Sequence, residues 1–452
     1  MRRSWPRRLL NRLEIDRATF YGIASRYWKL FAGPITLLLM AEYFTLEVQG
    51  FYYLFSGIIA LQTYFELAFP GAIITTASHQ WTALRLDEDG KIVGDADHLS
   101  RLTDLMRGSA AIFVGSGIAF GLVAGGIGWS MFMREPSGAL LDWQWPWVCL
   151  ITLAALAFSL NPFLAVLEGC DQVRGVYKMQ LAREVLGNLI VWGSMIAGAQ
   201  LWVPVSVMAM RLLIEGGLVF VTYRSFFSVF RHGPAAARLN WKQDVLPFQS
   251  RLFIRGVFAF LRSDIMLLLI FSVHEAVPAG QFGATFTTLM SVRLACSSWV
   301  RSRVPHLGSL IKRRDYREVD RIFFRVGAIA LAMMAAMGSA VCVVIALLGW
   351  ADFSFAERFT TPLTAALLAI GMWATLAKEF QWMYLHAHGR SPYLLYSILG
   401  SLVCGTVILS LGVPYAALGC SAAYAAMQVF VFLPASTFAF VKLRRQWHAA
   451  PA

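Results

Sequence analysis

Apolar runs of about 20 residues recur along the whole sequence and are separated by short polar segments. A helix of that length crosses the hydrocarbon core of a bilayer. Hydrophobic residues make up 58% of the 452 residues and charged residues only 14%, whereas soluble domains carry about 25% charged residues. The sequence therefore excludes disordered, collagen-like and disulfide-scaffold classes, and it predicts a polytopic helical membrane protein.

The runs predict about twelve spans, in two groups of six on either side of a polar stretch. The first group comprises residues 21–41, 48–74, 109–132, 147–167, 185–201 and 203–221. The second group comprises residues 252–273, 280–300, 322–348, 362–383, 393–411 and 413–432. We therefore predict an all-α fold with a six-helix lobe at 1–223, a cytoplasmic linker at 224–251 and a second six-helix lobe at 252–452.

Basic residues are concentrated in alternate loops, most densely between Arg301 and Arg321 and again in the tail after Lys442. The opposite loops are mainly acidic and contain Glu47, Glu135, Asp142, Asp352 and Glu357. Because cytoplasmic loops of membrane proteins carry the excess of Lys and Arg, both termini are predicted to be cytoplasmic.

The formal net charge of +13 is explained by the basic cytoplasmic loops and by contact with anionic lipid, so we predict no nucleic-acid partner. The arginine-rich residues 1–20 are predicted to form a basic segment at the membrane interface. The six cysteines form no CxxC pair, so the sequence predicts neither a disulfide framework nor a metal site. The GxxxxGK[ST] and GxGxxG nucleotide motifs are absent from the sequence, and we predict no cofactor and no enzymatic activity.

Matching landmarks in the two halves indicate an internal repeat. Ser25-Arg26 opens the first span and Ser250-Arg251 opens the seventh. Gly50-Phe51-Tyr52 begins the second span and Gly280-Gln281-Phe282 begins the eighth. Because each half has an even number of spans, the two lobes are expected to run parallel, related by an axis along the membrane normal.

Basic residues inside the predicted spans are the first candidates for function, because burying a charge in a membrane is costly. Arg251, Arg255 and Arg262 fall within about 40° of one another on an ideal seventh helix. Guanidinium groups bind phosphate oxygens in pairs, so such a stripe suits a diphosphate.

Arg26 and Lys29 in the first span, Arg293 in the eighth and Lys378 in the tenth add further intramembrane charge. Snorkelling to the interface is the alternative for the residues near span ends, and a buried ion pair is the alternative for Arg262 and Arg293. The predicted substrate-binding residues are Arg26, Lys29, Arg255, Arg262 and Arg293.

Acidic residues within the spans are fewer. Arg211 and Glu215 are four residues apart on one helix, a spacing that allows them to neutralise each other. Asp264 lies nearly opposite the arginine stripe, where it either pairs with an arginine of another helix or carries a coupling proton. Asp264 and Glu66 are the predicted ion-coupling residues, with H⁺ or Na⁺ as the ion.

The stretch EVQGFYYLFSGIIALQTYFELAFPGAIITTASHQW, which starts at Glu47, has a recognisable pattern. Its landmarks are Gly50-Phe51-Tyr52, Ala60-Leu61-Gln62 and Glu66-Leu67-Ala68. It resembles the second-helix region of Wzx-type polysaccharide flippases, which belong to the multidrug/oligosaccharidyl-lipid/polysaccharide (MOP) exporter superfamily. Glycine is common in that family where this chain has Ala68, so the third landmark departs from the pattern. The layout of six plus six spans matches over the whole chain.

The resemblance implies a MATE-like fold of two parallel pseudo-symmetric lobes in the bacterial cytoplasmic (inner) membrane. It implies movement of a polyprenyl-diphosphate-linked oligosaccharide, such as an O-antigen or lipopolysaccharide repeat unit, to the outer leaflet by alternating access. Membrane lipids and other polysaccharide-assembly proteins are the further partners it implies. The alternatives are a cation-coupled multidrug antiporter and a polytopic polysaccharide polymerase or ligase, although the predicted outer loops look too short for the latter.

Overall fold

The computed structural model describes residues 17–449 except 67–68, 233–240, 242–257, 259, 302 and 389–393. The start of the predicted basic N-terminal segment, most of the predicted linker, and both Arg251 and Arg255 lie outside the described residues. The same holds for Leu67 and Ala68 of the third landmark.

The described N-terminal half consists of helices and one short hairpin. The helices are α1 (Arg17–Tyr43), α2 (Leu46–Ala60), α3 (Gln62–Glu66), α4 (Phe69–Trp81), α5 (Ala96–Phe132), α6 (Gln144–Phe158), α7 (Asn161–Gly169), α8 (Val173–Ile196), α9 (Val203–Gly217) and α10 (Arg224–His232). The hairpin pairs β1 (Leu84–Leu86) antiparallel with β2 (Ile92–Gly94) in a loop predicted to be cytoplasmic. Part of the predicted linker is therefore helical, because α10 begins at its first residue.

The described C-terminal half is helical as well. Its helices are α11 (Ile265–His274), α12 (Ala276–Arg301), α13 (Val304–Lys312), α14 (Tyr316–Trp350), α15 (Pro362–Ala387), α16 (Leu394–Ala426) and α17 (Leu433–Ala449). Helix α16 is kinked at Ala416, whose φ of 48° is non-helical, two residues after Pro414. The predicted boundary between the last two spans lies close to this kink.

Six helical stretches among the described residues are long and apolar enough to cross a membrane, or seven when the bent stretch from α2 to α4 is added. Large apolar side chains on these helices are exposed, such as Leu122 at 74% and Phe438 at 72%, as expected for surfaces that face lipid. The all-α polytopic membrane fold is thus confirmed. The count of twelve spans and the cytoplasmic side of both termini stay predictions.

Two features recur at corresponding points of the two halves. The long helices α5 and α14 both begin at an aspartate N-cap, Asp95 and Asp315, whose carboxylates accept from backbone N–H groups of the first turn. A π-helical turn also lies at the end of the sixth predicted span and at the end of the twelfth. The first π turn is Leu218–Thr222 and the second π turn is Met427–Phe432.

The chain divides into two compact units, each considered over its described residues. The N-terminal unit comprises Met1–Tyr43, Ile58–Arg134 and Gly138–Gly256, and the C-terminal unit comprises Phe44–Gly57, Glu135–Ser137 and Val257–Ala452. Two short segments of the range predicted for the first lobe therefore pack in the C-terminal unit. The parallel, pseudo-symmetric relation of two six-helix lobes stays a prediction.

Close packing inside the C-terminal unit explains the placement of these segments. A Cβ atom on Gly50 of α2 would lie 2.1 Å from the carbonyl oxygen of Ala276, and one on Gly280 would lie 2.8 Å from the Gly50 nitrogen. Only glycine permits so close an approach. Glu135 accepts a hydrogen bond from the Ala276 nitrogen at 3.1 Å, and so fixes the second segment at the start of α12.

Candidate functional site

The predicted arginine stripe on the seventh span is not continuous in the structure. Arg262 lies in a turn formed by Leu261–Asp264, and α11 begins only at Ile265. The assumption of 100° per residue therefore fails at this point, and Arg255 lies outside the described residues. Asp264 occupies the N-cap position of α11.

Arg262 instead lies beside a second cation on one aromatic ring of the C-terminal unit. The Arg262 guanidinium carbon is 5.6 Å from the centre of the Phe432 ring, and Lys378 Nζ is 4.8 Å from it. Both distances fall within the range of cation–π attraction. Phe432 is 1% exposed, so this arrangement brings two basic side chains together inside a membrane protein.

Lys378 also contacts the second π turn, because its Nζ donates to Gln428 Oε1 at 2.9 Å. Gln428 is 2% exposed, and both Gln428 and Phe432 belong to that turn. One helical turn before Lys378, the Thr375 hydroxyl lies 2.8 Å from the Tyr424 hydroxyl. Polar groups of α15 therefore meet polar groups of α16 and its π turn, a type of turn that is frequent at functional sites.

Arg293, predicted to bind substrate, is held by an acidic residue next to Lys378. Its Nη1 lies 2.8 Å from Glu379 Oε2, and the side chains are 12% and 14% exposed. Arg301 pairs with the other carboxylate oxygen of Glu379, and Ser297 donates to that oxygen at 3.3 Å. The buried ion pair that the sequence left as an alternative for Arg293 is thus present. We call Arg262, Arg293, Arg301, Lys378 and Glu379 the basic cluster.

Glu66, predicted to couple an ion, belongs to a hydrogen-bond network of the N-terminal unit. Its Oε1 accepts from Asn161 Nδ2 at 2.7 Å and from Gln62 Nε2 at 3.3 Å. Asn161 Oδ1 in turn accepts from Arg211 Nη2 at 3.5 Å. Of the polar residues of the second-helix motif, Glu66 therefore contacts α7 and, through it, α9, and Gln62 supports Glu66 from the same helix.

Two arginines share one carboxylate oxygen at the far end of this network. Arg183 Nη1 lies 2.6 Å and Arg211 Nε lies 3.0 Å from Glu215 Oε1. Glu215 is 0% exposed, and its Oε2 has no hydrogen-bond partner among the described residues. The pairing of Arg211 with Glu215 confirms the prediction from their spacing. A cavity of about 350 Å³ opens beside the two arginines.

The structure brings only some of the predicted site residues together. Arg262 and Arg293 both belong to the basic cluster of the C-terminal unit, whereas Glu66 belongs to the N-terminal unit. Arg26 and Lys29 lie in α1, but their side chains are outside the described part of the chain. The binding and coupling roles of these residues therefore stay predictions.

Some residues of these sites are absent from the predicted set, among them Arg183, Lys378 and Gln428. The predicted fifth span begins at residue 185 and so leaves Arg183 in a loop, whereas Arg183 lies within α8. The sequence shows Lys378 as an intramembrane charge, and it gives no signal for Gln428. A signal for Lys378 was present, since a lysine deep in a predicted span is a candidate functional residue by itself.

Comparison with known proteins tests the fold. No protein-family model and no curated protein sequence matches the chain. Solved structures do match, among them the lipid II flippase MurJ in an inward closed conformation, with 12% identity, a TM-score of 0.61 and coverage of 95% of this chain and 90% of that one. The chain shares the fold of this structure.

Two MATE transporters also match. A mutant of the Vibrio cholerae MATE transporter VcmN is 12% identical, with a TM-score of 0.58 and coverage of 95% and 96% of the two chains. An inward-facing MATE family transporter of the MOP superfamily is 14% identical, with a TM-score of 0.55 and coverage of 96% of each chain. The MATE-like part of the fold prediction is thus confirmed, and the Wzx-type specificity stays a prediction.

Proposed function

We propose that this protein is a flippase for a polyprenyl-diphosphate-linked oligosaccharide, which it moves from the cytoplasmic to the outer leaflet by alternating access. The fold is shared with MurJ, a lipid II flippase, and the second-helix motif resembles that of Wzx-type flippases. We place the protein in the cytoplasmic membrane of a bacterium. The transported oligosaccharide would be a lipopolysaccharide or O-antigen repeat unit, which other polysaccharide-assembly proteins would use at the outer leaflet.

The observation that carries this proposal is the position of Lys378. Its contacts are the neutral amide of Gln428 and the ring of Phe432, and it forms no ion pair with any described residue. An ammonium group inside a membrane span is costly and is functional by default. An anionic substrate group would provide the carboxylate-like partner that Lys378 lacks among the described residues.

Arg262 and Arg293 extend this basic surface. Arg262 lies over the same ring as Lys378, and Arg293 of α12 is oriented by Glu379 of α15. Guanidinium forks bind two oxygens of a phosphate at once, whereas an ammonium acts as a point charge. We assign the diphosphate of the lipid carrier to Lys378, Arg262 and Arg293, with Arg26, Lys29 and Arg255 as further contributors.

Ion coupling is assigned to Glu66, with Asp264 as a second candidate. Both described donors to the Glu66 carboxylate, Asn161 and Gln62, are neutral amides. A carboxylate held by neutral groups can bind and release a proton or Na⁺ without breaking an ion pair of its own. The coupling ion in this proposal is H⁺ or Na⁺.

Two parallel six-helix lobes with cytoplasmic termini are part of the same proposal. The recurrence of an aspartate N-cap and of a π turn in both halves supports a parallel repeat. Reporter fusions after Lys442 and within the Arg301–Arg321 loop are expected to report cytoplasm. A signal from the outer side at either point would contradict this topology.

A binding experiment separates the flippase from the runner-up, a cation-coupled multidrug antiporter. The full chain in lipid nanodiscs is titrated with a polyprenyl-diphosphate-linked disaccharide and, separately, with a lipophilic cationic dye. The proposal predicts saturable binding of the lipid and weak binding of the dye. Saturable binding of the dye without binding of the lipid would favour the antiporter.

A further inference from the structure

The cavity in the N-terminal unit is lined by residues other than those assigned to the diphosphate. It measures about 350 Å³ and is walled by α8 and α9, a volume within the range of small-molecule sites. Its polar wall residues are Arg183, Glu184 and Asn188 from α8 and Arg211 from α9. Val191, Val207 and Met210 supply apolar surface.

The charges of this wall are balanced, unlike those of the basic cluster. Arg183 and Arg211 both bind Glu215 Oε1, and Arg183 also lies 3.5 Å from Glu184. Two guanidinium groups therefore face two carboxylates. Such a wall does not favour a multiply charged anion, because its cations are already neutralised.

The wall nevertheless offers hydrogen-bonding groups of both kinds. The arginines are 29% and 22% exposed along their side chains, and each guanidinium has more N–H donors than its described contacts use. Asn188 donates to the Glu184 carbonyl oxygen at 2.7 Å, which fixes its amide. Glu215, whose Oε1 both arginines bind, is 0% exposed, and its Oε2 has no hydrogen-bond partner among the described residues.

We propose that this cavity binds a saccharide ring of the transported lipid. A sugar presents neighbouring hydroxyl groups, which suit planar guanidinium, carboxylate and carboxamide groups, and C–H faces, which suit the valine and methionine side chains. The neutral wall matches an uncharged, hydroxylated ligand. This inference rests on the proposed function and adds to it a site for the sugar, distinct from the basic cluster assigned to the diphosphate.

Gly187 provides a way to test this inference. It lies on the cavity wall, and a Cβ atom built on it meets no heavy atom within 4 Å. A leucine there would begin in open space on the cavity wall and take up part of the cavity volume. Gly193, two turns further along α8, is equally open but is not a wall residue, so Gly193→Leu is the matched control.

The experiment measures the Kd of the full chain in nanodiscs for a polyprenyl-diphosphate-linked disaccharide and for bare polyprenyl diphosphate. Wild type and Gly193→Leu are expected to prefer the glycosylated lipid. In Gly187→Leu, the ratio of the two Kd values is expected to fall about tenfold, because at least one charge-assisted hydrogen bond to the sugar is lost. The Kd for the bare lipid should be unchanged. The unchanged Kd also reports that the variant is folded.

Asn188→Ala serves as a second variant, with the same result expected, in case Gly187→Leu does not fold. Two outcomes overturn the inference: equal binding of both lipids by the wild type, or full preference retained by folded Gly187→Leu and Asn188→Ala proteins. A wild type that binds neither lipid would instead overturn the proposed function itself. The inference is also contradicted if Gly187→Leu changes the dependence of lipid binding on Na⁺ but leaves the preference for the disaccharide-linked lipid unchanged.

Discussion

Lys378 donates a hydrogen bond to Gln428 across 2.9 Å and so joins α15 to the second π turn. Gln428 is buried and Lys378 is partly buried within the C-terminal unit, and the ring of Phe432 lies beside the Lys378 ammonium group. This geometry is compatible with a lysine that only stabilises the fold and with a lysine that binds an anionic substrate. Replacing Lys378 and Gln428 together distinguishes the two, because only a substrate-binding lysine is then needed for transport.

We expect the double variant Lys378→Met with Gln428→Leu to fold as well as the wild type and to be inactive. Replacing both partners of a buried polar pair by apolar groups of similar size is close to neutral in stability, whereas Gln428→Leu alone should cost about 1–3 kcal/mol. Thermal unfolding and transport of each variant are measured together. An active double variant would remove Lys378 from the site.

Glu379 is expected to stabilise the basic cluster. Glu379→Gln removes the carboxylate shared by Arg293 and Arg301, and we expect a loss of about 1–3 kcal/mol in the free energy of unfolding. The control is Glu318→Gln, whose exposed pair with Arg321 is 3.6 Å apart and is worth less than about 1 kcal/mol. Equal effects of the two substitutions in chemical unfolding would contradict the assignment.

The close contact between α2 and α12 predicts a steric effect at one glycine. Gly50→Ala places a methyl group against the Ala276 carbonyl and should destabilise the protein by about 1–3 kcal/mol through overpacking. Gly126→Ala in α5 meets nothing within 4 Å and should be neutral or stabilising by up to about 1 kcal/mol. Thermal unfolding of the two purified variants compares them directly. Gly50→Ala protein as stable as Gly126→Ala would disprove the contact.

Glu66→Gln tests the coupling assignment without removing the hydrogen bonds. A glutamine can still accept from Asn161 and Gln62 but cannot take up a proton. Wild-type transport should accelerate under an imposed H⁺ or Na⁺ gradient, and the variant should keep its basal rate and lose the response. Asp264→Asn is assayed in parallel. If Glu66→Gln responds as the wild type does and Asp264→Asn does not, the coupling residue is Asp264.

The membrane fold could be predicted because it depends on a property that the sequence displays directly, the length of its apolar runs. The intramembrane charges Arg293, Glu66 and Lys378 were visible for the same reason. Their partners were not, since Glu379 and Asn161 lie 86 and 95 residues away from the residues they bind. No spacing rule connects such positions.

The local geometry of the site was lost where helices depart from the ideal. The predicted stripe required a regular helix through Arg262, and the turn at Leu261–Asp264 breaks it. Gln428 and Phe432 lie in a π turn, whose wider hydrogen bonding changes the direction of each side chain relative to 100° per residue. Arg183 lies before the apolar run that predicts the fifth span, and α8 includes it because this helix begins ten residues earlier, at Val173.

The initial rate at which a labelled polyprenyl-diphosphate-linked disaccharide changes leaflet in proteoliposomes tests the central claim most directly. We expect rapid transfer by the wild type and by Lys442→Gln, which removes an exposed charge from α17. We expect transfer at least about tenfold slower with Lys378→Gln, because one charge-assisted contact with phosphate is lost, and partial recovery with Lys378→Arg. Equal rates for Lys378→Gln and Lys442→Gln, or no transfer by the wild type, would contradict that claim.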